Sequence, residues 1–366
     1  MSRIDFALLE RALALAEKGR YTVAPNPMVG AVVARDGRVL AEAWHRRAGG
    51  LHAEAAALRR ASGASRGADL YLTLEPCAHF GRTPPCAPEI VAAGIARVVV
   101  AARDPNPLVA GRGLAALRRA GVEVVRAPAA LRRRAEEQNE RFFVAIAGRR
   151  PFVLAKWAAS LDGRIATAAG ESRWITGEAA RRRALLWREE CDAVLVGAGT
   201  VAADDPRLTR RLGRAGGRPH WKIVLDGRLR VSENARVFRG PGERLVVTAR
   251  PDDAARARRL ERRGIRVWSL PARARDRVDL ARLLEALYRE GVTSVMVEGG
   301  AETLGAFFEA GLVDRAAAFV APRLLGGRAA PGAVGGSGFR LRGAPALRDV
   351  RIERVGGDLL VTGRLA

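Results

Sequence analysis

Short runs of apolar, β-branched residues recur along the chain, and most are followed by a stretch with helical spacing. MVGAVVARDG (from Met28), DLYLTLE (from Asp69), ARVVVAARD (from Ala96) and VEVVRA (from Val122) read as strands. HAEAAALRRAS, APEIVAAG and GLAALRRAG lie between them and carry apolar residues three and four apart, as a helix packed by one face does. Strands separated by helices of this length predict an α/β domain of three layers. RVLAEAWH predicts a hairpin partner for the first strand, and residues from Ala129 to about Gly148 predict helix. The pattern breaks at AGRRP, where Gly148, Arg149, Arg150 and Pro151 interrupt it. It restarts at FVLAKWAASLDGRIA and runs through GEAARRRALLWREE, DAVLVGAG, WKIVLD, RLVVTA, IRVWSL, LARLLEALYREG, TSVMVEGG and ETLGAFFEAG. These strands are apolar throughout, which predicts a mostly parallel sheet buried on both faces. A Gly-rich stretch, GGRAAPGAVGGSGFRLRG, predicts a long surface loop before the last strands. With 366 residues the chain is long enough for two domains, expected at 1–148 and 149–366.

Bulk properties exclude several function classes. The opening MSRIDFALLERALALAEKGR contains Asp5, Glu10 and Glu17, so it predicts an amphipathic helix and not a signal peptide. No run of about 18 apolar residues exists, so no membrane partner is expected. Three cysteines predict a reducing compartment, hence the cytoplasm, and no disulfide framework. The net charge of +24 would suit nucleic acid, but Lys occurs only at Lys18, Lys156 and Lys222 and Arg is spread along the whole chain. Aromatics make up 5%, too few to interleave a basic patch for stacking bases. The expectation is general basicity, with no nucleic-acid partner, and a homo-oligomer.

Metal chemistry is concentrated near residue 50 and just after it. His52 and Glu54 open one predicted helix, and Cys77 and Cys86 flank the loop into the next. One imidazole and two thiolates leave a fourth position open, as a catalytic zinc site requires; a structural site wants a fourth protein ligand. Glu54 can act as a proton shuttle beside the metal without ligating it. His-x-Glu followed by Pro-Cys is the pattern of the zinc-dependent nucleobase deaminases. Read on its own, the site leaves two rivals: a deaminase acting on RNA, and a zinc-stabilised scaffold without activity. The scaffold has no use for Glu54, and the RNA enzyme does not explain the second α/β half. Cys191, alone at a strand start, reads as a packing residue.

The second half is less explicit. VMVEGGAETL is a strand, two glycines and a helix, a place where backbone N–H groups can hold a phosphate. No G-x-G-x-x-G occurs, so an ordinary Rossmann fingerprint is absent. VGAGTVAADDPRLT places Asp204 and Asp205 at what reads as the end of a buried strand. KWAASLDGRIA and GESRWITG contribute Lys156, Ser160, Asp162, Ser172 and Trp174.

The cysteines do not follow the C-x-x-C spacing; AHFGRTPP separates Cys77 from Cys86. HAE, TLEPCAHFGRTPPC, NPMVGAVV and DPNPLVAGRG together closely resemble the bifunctional riboflavin-biosynthesis deaminase/reductases, and the resemblance runs through both halves. It implies a cytidine-deaminase-like N-terminal domain and a C-terminal domain of dihydrofolate-reductase-like α/β fold. It further implies zinc, one ion per chain, held by His52, Cys77 and Cys86, with Glu54 catalytic. Asn26 matches a sugar contact, and His45, His79 and Arg82 match the substrate pocket. In the second domain the resemblance implies NADPH at Ala158, Trp174, Thr200, Asp204 and the Gly299–Leu304 turn, including Gly300. It implies substrate contacts at Lys156, Ser172, Arg188, Leu208, Arg211 and Glu298, with an Arg pair suited to a ribose 5-phosphate. The family's KLGASLDG is KWAASLDG here, so Trp157 and Ala158 depart from the pattern. The implied ligand is a phosphoribosylated pyrimidine, deaminated first and then reduced at its ribosyl chain.

Overall fold

The first sheet is built from β1 (Gly30–Arg35), β2 (Arg38–Trp44), β3 (Asp69–Leu74), β4 (Arg97–Ala102) and β5 (Glu123–Arg126). Its helices are α1 (Phe6–Ala16), α2 (Ala53–Ala61), α3 (Cys86–Ala92), α4 (Arg112–Arg119), α5 (Ala129–Gln138) and α6 (Glu140–Gly148). The computed structural model describes residues 4–78, 84–250, 253–272 and 276–366, and the chain divides into two units, 1–149 and 150–366.

In the first unit the strand order is β2-β1-β3-β4-β5. The hairpin β1–β2 turns at Asp36 and Gly37, both at positive φ. β1 and β3 run antiparallel, and β3, β4 and β5 run parallel, which requires the crossovers supplied by α3 and α4. Successive side chains point to opposite faces. Ala31, Val33, Leu70, Leu72 and Val98 therefore meet Ala53, Ala57, Ala87, Ile90 and Leu117 of α2, α3 and α4. Val32, Ala34, Tyr71, Val99 and Ala101 meet Leu8, Leu9, Ala12, Leu13, Leu131 and Ala135 of α1 and α5. α1 crosses the start of β1 at backbone contact: a Cβ on Gly30 would lie 1.9 Å from the Ala12 carbonyl oxygen.

The helix read from Ala129 to Gly148 is two helices, broken at Asn139. The Asn139 side chain is taken up elsewhere, accepting from the Met28 N–H (2.7 Å) and donating to the Met28 carbonyl (2.9 Å). It thus satisfies both backbone groups of Met28.

The second unit holds one sheet of nine strands: β6 (Phe152–Ser160), β7 (Ala193–Gly197), β8 (Trp221–Leu225), β9 (Glu243–Thr248), β10 (Arg266–Ser269), β11 (Ser294–Val297), β12 (Arg315–Ala321), β13 (Leu347–Val355) and β14 (Asp358–Leu365). Its helices are α7 (Glu178–Glu190), α8 (Ala198–Asp204), α9 (Ala254–Arg262), α10 (Leu280–Arg289) and α11 (Ala301–Glu309). The order is β10-β9-β8-β7-β11-β6-β12-β14-β13. From β10 to β12 all neighbours are parallel, and β14 is antiparallel to β12 and β13. Val153, Leu195, Ile223, Val247 and Val295 pack with Leu283, Leu284, Leu287, Leu304 and Phe307 in one core. β11 ends level with Ala155 of β6 and Leu195 of β7, β6 runs on beside β12 to Ser160, and the turns leaving β7 and β11 line the carboxyl edge of the sheet, where open α/β sheets bind ligands. The Gly-rich stretch is tied down: Asp162 accepts from the N–H groups of Leu325 (3.1 Å) and Gly326 (2.8 Å), and Gly335 N–H donates to the Ala301 carbonyl (2.9 Å).

Candidate active sites

Helix starts place the three donors in the first unit. His52 is the N-cap of α2, Cys86 is the first residue of α3, and Cys77 follows β3 after Glu75 and Pro76. His52 Nδ1 lies 3.1 Å from Cys86 Sγ and 3.7 Å from Cys77 Sγ, and all three donor atoms fall within 4.8 Å of one another. The Cys86 N–H, at the head of α3, donates to Cys77 Sγ (3.3 Å). Hydrogen bonds from the Cys86 thiol and from His52 outweigh burial and hold the Cys77 thiol down at about 4. The neighbouring thiolate and burial push Cys86 up. Two sulfurs and one imidazole nitrogen, one sulfur already a thiolate, fit zinc with three protein ligands. Glu54, buried in the first turn of α2, is pushed up by its burial, as suits a carboxyl that holds a proton.

Asn26 and His45 come to the same place. Asn26 Nδ2 donates to His45 Nε2 (3.0 Å), and His45 Nδ1 donates to the Leu51 carbonyl (2.9 Å); those partners assign the tautomer. The His45 ring stands edge-on to His52, with centroids 5.7 Å apart. His79 and Arg82 lie outside the described residues. Sequence reading missed Glu75, whose buried carboxylate accepts from the N–H groups of Gly111 (2.9 Å) and Leu114 (3.3 Å). It anchors the DPNPLVAGRG segment beside Pro76, whose carbonyl oxygen a Cβ on Gly113 would meet at 1.9 Å. The available signal was a charge between a buried strand and Pro-Cys.

In the second unit Arg188, in the last turn of α7, grips Glu298 at the end of β11. Nε is 2.8 Å from Oε1 and Nη2 is 2.6 Å from Oε2, a bidentate pair. Burial alone would raise the Glu298 carboxyl, but Arg188 and Lys156 hold it down at about 2. Burial lowers Lys156, on β6, against the opposing pull of Glu298. Lys156, Arg188 and Glu298 thus form one charged cluster.

Ser172 Oγ donates to Asp204 Oδ1 (2.7 Å), and the Arg173 guanidinium donates to the Asp204 carbonyl. Asp204 does not end a strand, as the sequence suggested: β7 stops at Gly197 and Asp204 closes α8. The run AGTVAAD holds three Ala but also Gly, Thr, Val and Asp, so propensity alone does not make it helix; the chain nonetheless turns into α8 directly after Gly197. Trp174 is 63% exposed, with the Arg181 guanidinium 4.6 Å from its ring centre. Ala158 stands on β6 two residues past Lys156, hence on the same face. Gly300 is the N-cap of α11, and a Cβ there would approach Thr200 Oγ1 to 3.2 Å. The cradle between Thr200 and the head of α11 therefore fits a phosphate-bearing cofactor approaching the backbone closely. Leu208 is buried, with φ 50°, so its backbone and not its side chain is what a ligand can meet. Arg211 is exposed. The structure therefore joins Lys156, Arg188 and Glu298, and separately Ser172 and Asp204, at the carboxyl edge of the sheet.

Known proteins match both halves. Residues 2–102 match the cytidine and deoxycytidylate deaminase zinc-binding region, and residues 151–361 match the RibD C-terminal domain. The riboflavin biosynthesis protein RibD of Bacillus amyloliquefaciens is 42% identical over 356 residues, covering 97% of this chain and 94% of that protein. Its counterpart in Escherichia coli K12 is 39% identical over 366 residues, covering 97% and 98%. The solved structure of Acinetobacter baumannii RibD aligns with a TM-score of 0.87 at 35% identity, covering 98% of both chains. A diaminohydroxyphosphoribosylaminopyrimidine deaminase/5-amino-6-(5-phosphoribosylamino)uracil reductase from Thermotoga maritima aligns with 0.85 at 34%, again covering 98% of both. The fold is thus cytidine-deaminase-like in the first unit and of the dihydrofolate-reductase-like RibD type in the second. With two sites of the matching chemistry on one polypeptide, the chain belongs to the RibD family of riboflavin-biosynthesis proteins.

Proposed function

We propose that residues 1–148 form a zinc-dependent deaminase and residues 149–366 an NADPH-dependent reductase. The first removes the 2-amino group of 2,5-diamino-6-(5-phospho-ribosylamino)pyrimidin-4(3H)-one as ammonia. The second reduces the ribosyl chain to give 5-amino-6-(5-phospho-ribitylamino)uracil. The observation that carries the reading is the buried Glu54 carboxyl at the His52–Cys77–Cys86 triangle, on the same chain as the Lys156–Arg188–Glu298 cluster.

When bound, zinc supplies Lewis acidity that makes the attacking water acidic enough to react near neutral pH. Glu54 carries one proton from the attacking water to the ring nitrogen and then the second proton of that oxygen to the amino group, which departs as ammonia. Burial is what lets a carboxyl of this kind hold the proton between the two transfers. Asn26, oriented by His45, keeps its side-chain oxygen for the sugar; His79 and Arg82 complete the pocket in this reading. In the reductase, NADPH supplies the hydride. Ala158, Trp174, Thr200, Asp204 and Gly300 bind and orient the cofactor; Lys156, Ser172, Arg188, Leu208, Arg211 and Glu298 hold the substrate, with Arg188 and Arg211 at its phosphate.

The partner is a small phosphoribosylated pyrimidine, and we assign the protein to the cytoplasm as a homo-oligomer. No helix among the described residues is long and apolar enough to cross a membrane. The outermost strand β13 carries exposed Val350 and Ile352, which supports self-association. The test is to supply the diaminopyrimidine ribotide with zinc, follow ammonia release, and then add NADPH and follow its oxidation. Ammonia followed by NADPH consumption is expected. Ammonia without NADPH oxidation would overturn the assignment of the second unit, and neither signal would overturn the substrate.

A further inference from the structure

The loop between α8 and β8 is held from beneath by groups that the proposed chemistry does not use. Glu189, next to last in α7, has no exposed surface. Its Oε1 accepts from the N–H groups of Arg211 (3.0 Å) and Leu212 (2.9 Å), and its Oε2 from those of Arg214 (3.1 Å) and Ala215 (3.2 Å). Four backbone donors match the four lone-pair positions of a carboxylate, each bond being charge-assisted.

Two further side chains fasten the same segment. Arg210 turns its guanidinium inward and donates to the carbonyls of Arg188 (3.1 Å), Arg218 (2.9 Å) and Cys191 (2.6 Å). His220, buried, donates from Nε2 to the Leu208 carbonyl (2.9 Å) and so holds the residue whose φ is 50°. Arg211 differs from its neighbour: its side chain has no hydrogen-bond or ion-pair partner among the described residues. Arg188, Arg207 and Arg236 are near enough to act on its charge, and Glu298 opposes them. Adjacent arginines therefore have opposite duties, one consumed by the scaffold and one left for an anion. Glu189 decides which is which, because it fixes the Arg211 backbone directly.

We propose that Glu189 is a positioning residue for the phosphate end of the reductase substrate. By binding four loop amides it presets the Arg211 guanidinium beside Arg188, so the phosphate is captured without first ordering the loop. The inference rests on the reading of the second unit as a reductase of a phosphorylated substrate.

The test uses the full chain and compares Glu189→Gln with the unaltered protein. Gln keeps the shape but turns an NH2 group toward two of the four N–H donors. The readouts are KM and kcat of NADPH-dependent reduction for the deaminated phosphoribosyl substrate and for its dephosphorylated form, and the Kd of NADPH. Expected is a rise of about tenfold in KM for the phosphorylated substrate, the equivalent of one charge-assisted hydrogen bond. The KM of the dephosphorylated form, kcat and the NADPH Kd should stay within about twofold, so the preference for phosphate collapses. Arg211→Ala should produce the same collapse, and the double variant little more. A parallel rise in KM for both substrates, or an unchanged preference for phosphate, would overturn the inference. If Glu189→Gln does not fold, Glu189→Asp, which keeps the charge and shortens the reach, is read by the same ratio. Failure of the unaltered protein to reduce either form would instead overturn the reductase reading, a separate outcome.

Discussion

Replacing Glu298 by Gln tests the charged cluster at the reductase site by stability and not by turnover. The Glu298 carboxyl sits at about 2 against an ordinary 4.5. At about 1.4 kcal/mol per pH unit, that displacement makes the ionised form worth about 3 kcal/mol to the fold. The Glu298 side chain is 7% exposed and that of Arg188 14%, so solvent screens little of it. Gln keeps the volume but leaves the Arg188 guanidinium without its counter-charge, a change that costs about 3–5 kcal/mol at buried pairs. A loss of about 3 kcal/mol in the second unit is therefore expected near pH 7. The sign with pH follows from the depressed value. A carboxylate held below its unfolded value contributes fully above about 4.5 and loses that contribution as pH falls toward 2. At about pH 3 less than half of the difference should remain. Urea titration followed by tryptophan fluorescence reads this unit, because every one of the 6 tryptophans except Trp44 lies in it. A difference below about 1 kcal/mol near pH 7, or one that does not shrink toward pH 3, would refute the reasoning.

Glu54→Gln should retain zinc, measured by metal analysis, and lose deamination by a factor of about 10²–10⁴ while reduction of pre-deaminated substrate continues. Unchanged ammonia release would remove Glu54 from the mechanism. Asn139→Ala strips both partners from Met28 and should lower the stability of the first unit by about 2–4 kcal/mol in urea titration. It should also raise the deaminase KM, since Asn26 lies two residues from Met28. Gly300→Ala should weaken NADPH binding about three- to tenfold by titration, because the new Cβ stands 3.2 Å from Thr200 Oγ1 in the cofactor cradle. An unaltered Kd would place the cofactor elsewhere.

The parts of the sites that were legible in the sequence are those whose chemistry restricts residue type. A zinc ligand set must be His and Cys, and a proton shuttle must be a carboxyl, so His52, Glu54, Cys77 and Cys86 stood out without structure. The strands were legible because β1, β4 and β7 are continuous apolar runs. Asn139, Glu189 and His220 were not. Each binds backbone groups, and a sequence carries no mark of which amide or carbonyl lacks a partner. Asn139 lies 111 residues from Met28 and reads as one more polar position on a helix. Glu189 stands in WREE and looks like ordinary charge at a helix end. Asp204 was displaced for a related reason: a strand and the helix that follows it without a loop share one apolar run.

The placement of β11 also sets a timetable for synthesis. This strand occupies the middle of the second sheet, hydrogen-bonded to β7 on one side and β6 on the other. Both flanking strands emerge from the ribosome long before it does, at 152–160 and 193–197 against 294–297. At about 5–20 residues per second, the slot between them waits on the order of ten seconds for its occupant. Both edges of β6 and the facing edge of β7 are open to wrong pairing throughout that interval, while the first sheet, complete at residue 126, can already have closed. A growing chain of this protein is therefore most in need of a chaperone between residue 160 and residue 297, with one unit already folded and the other missing its keystone.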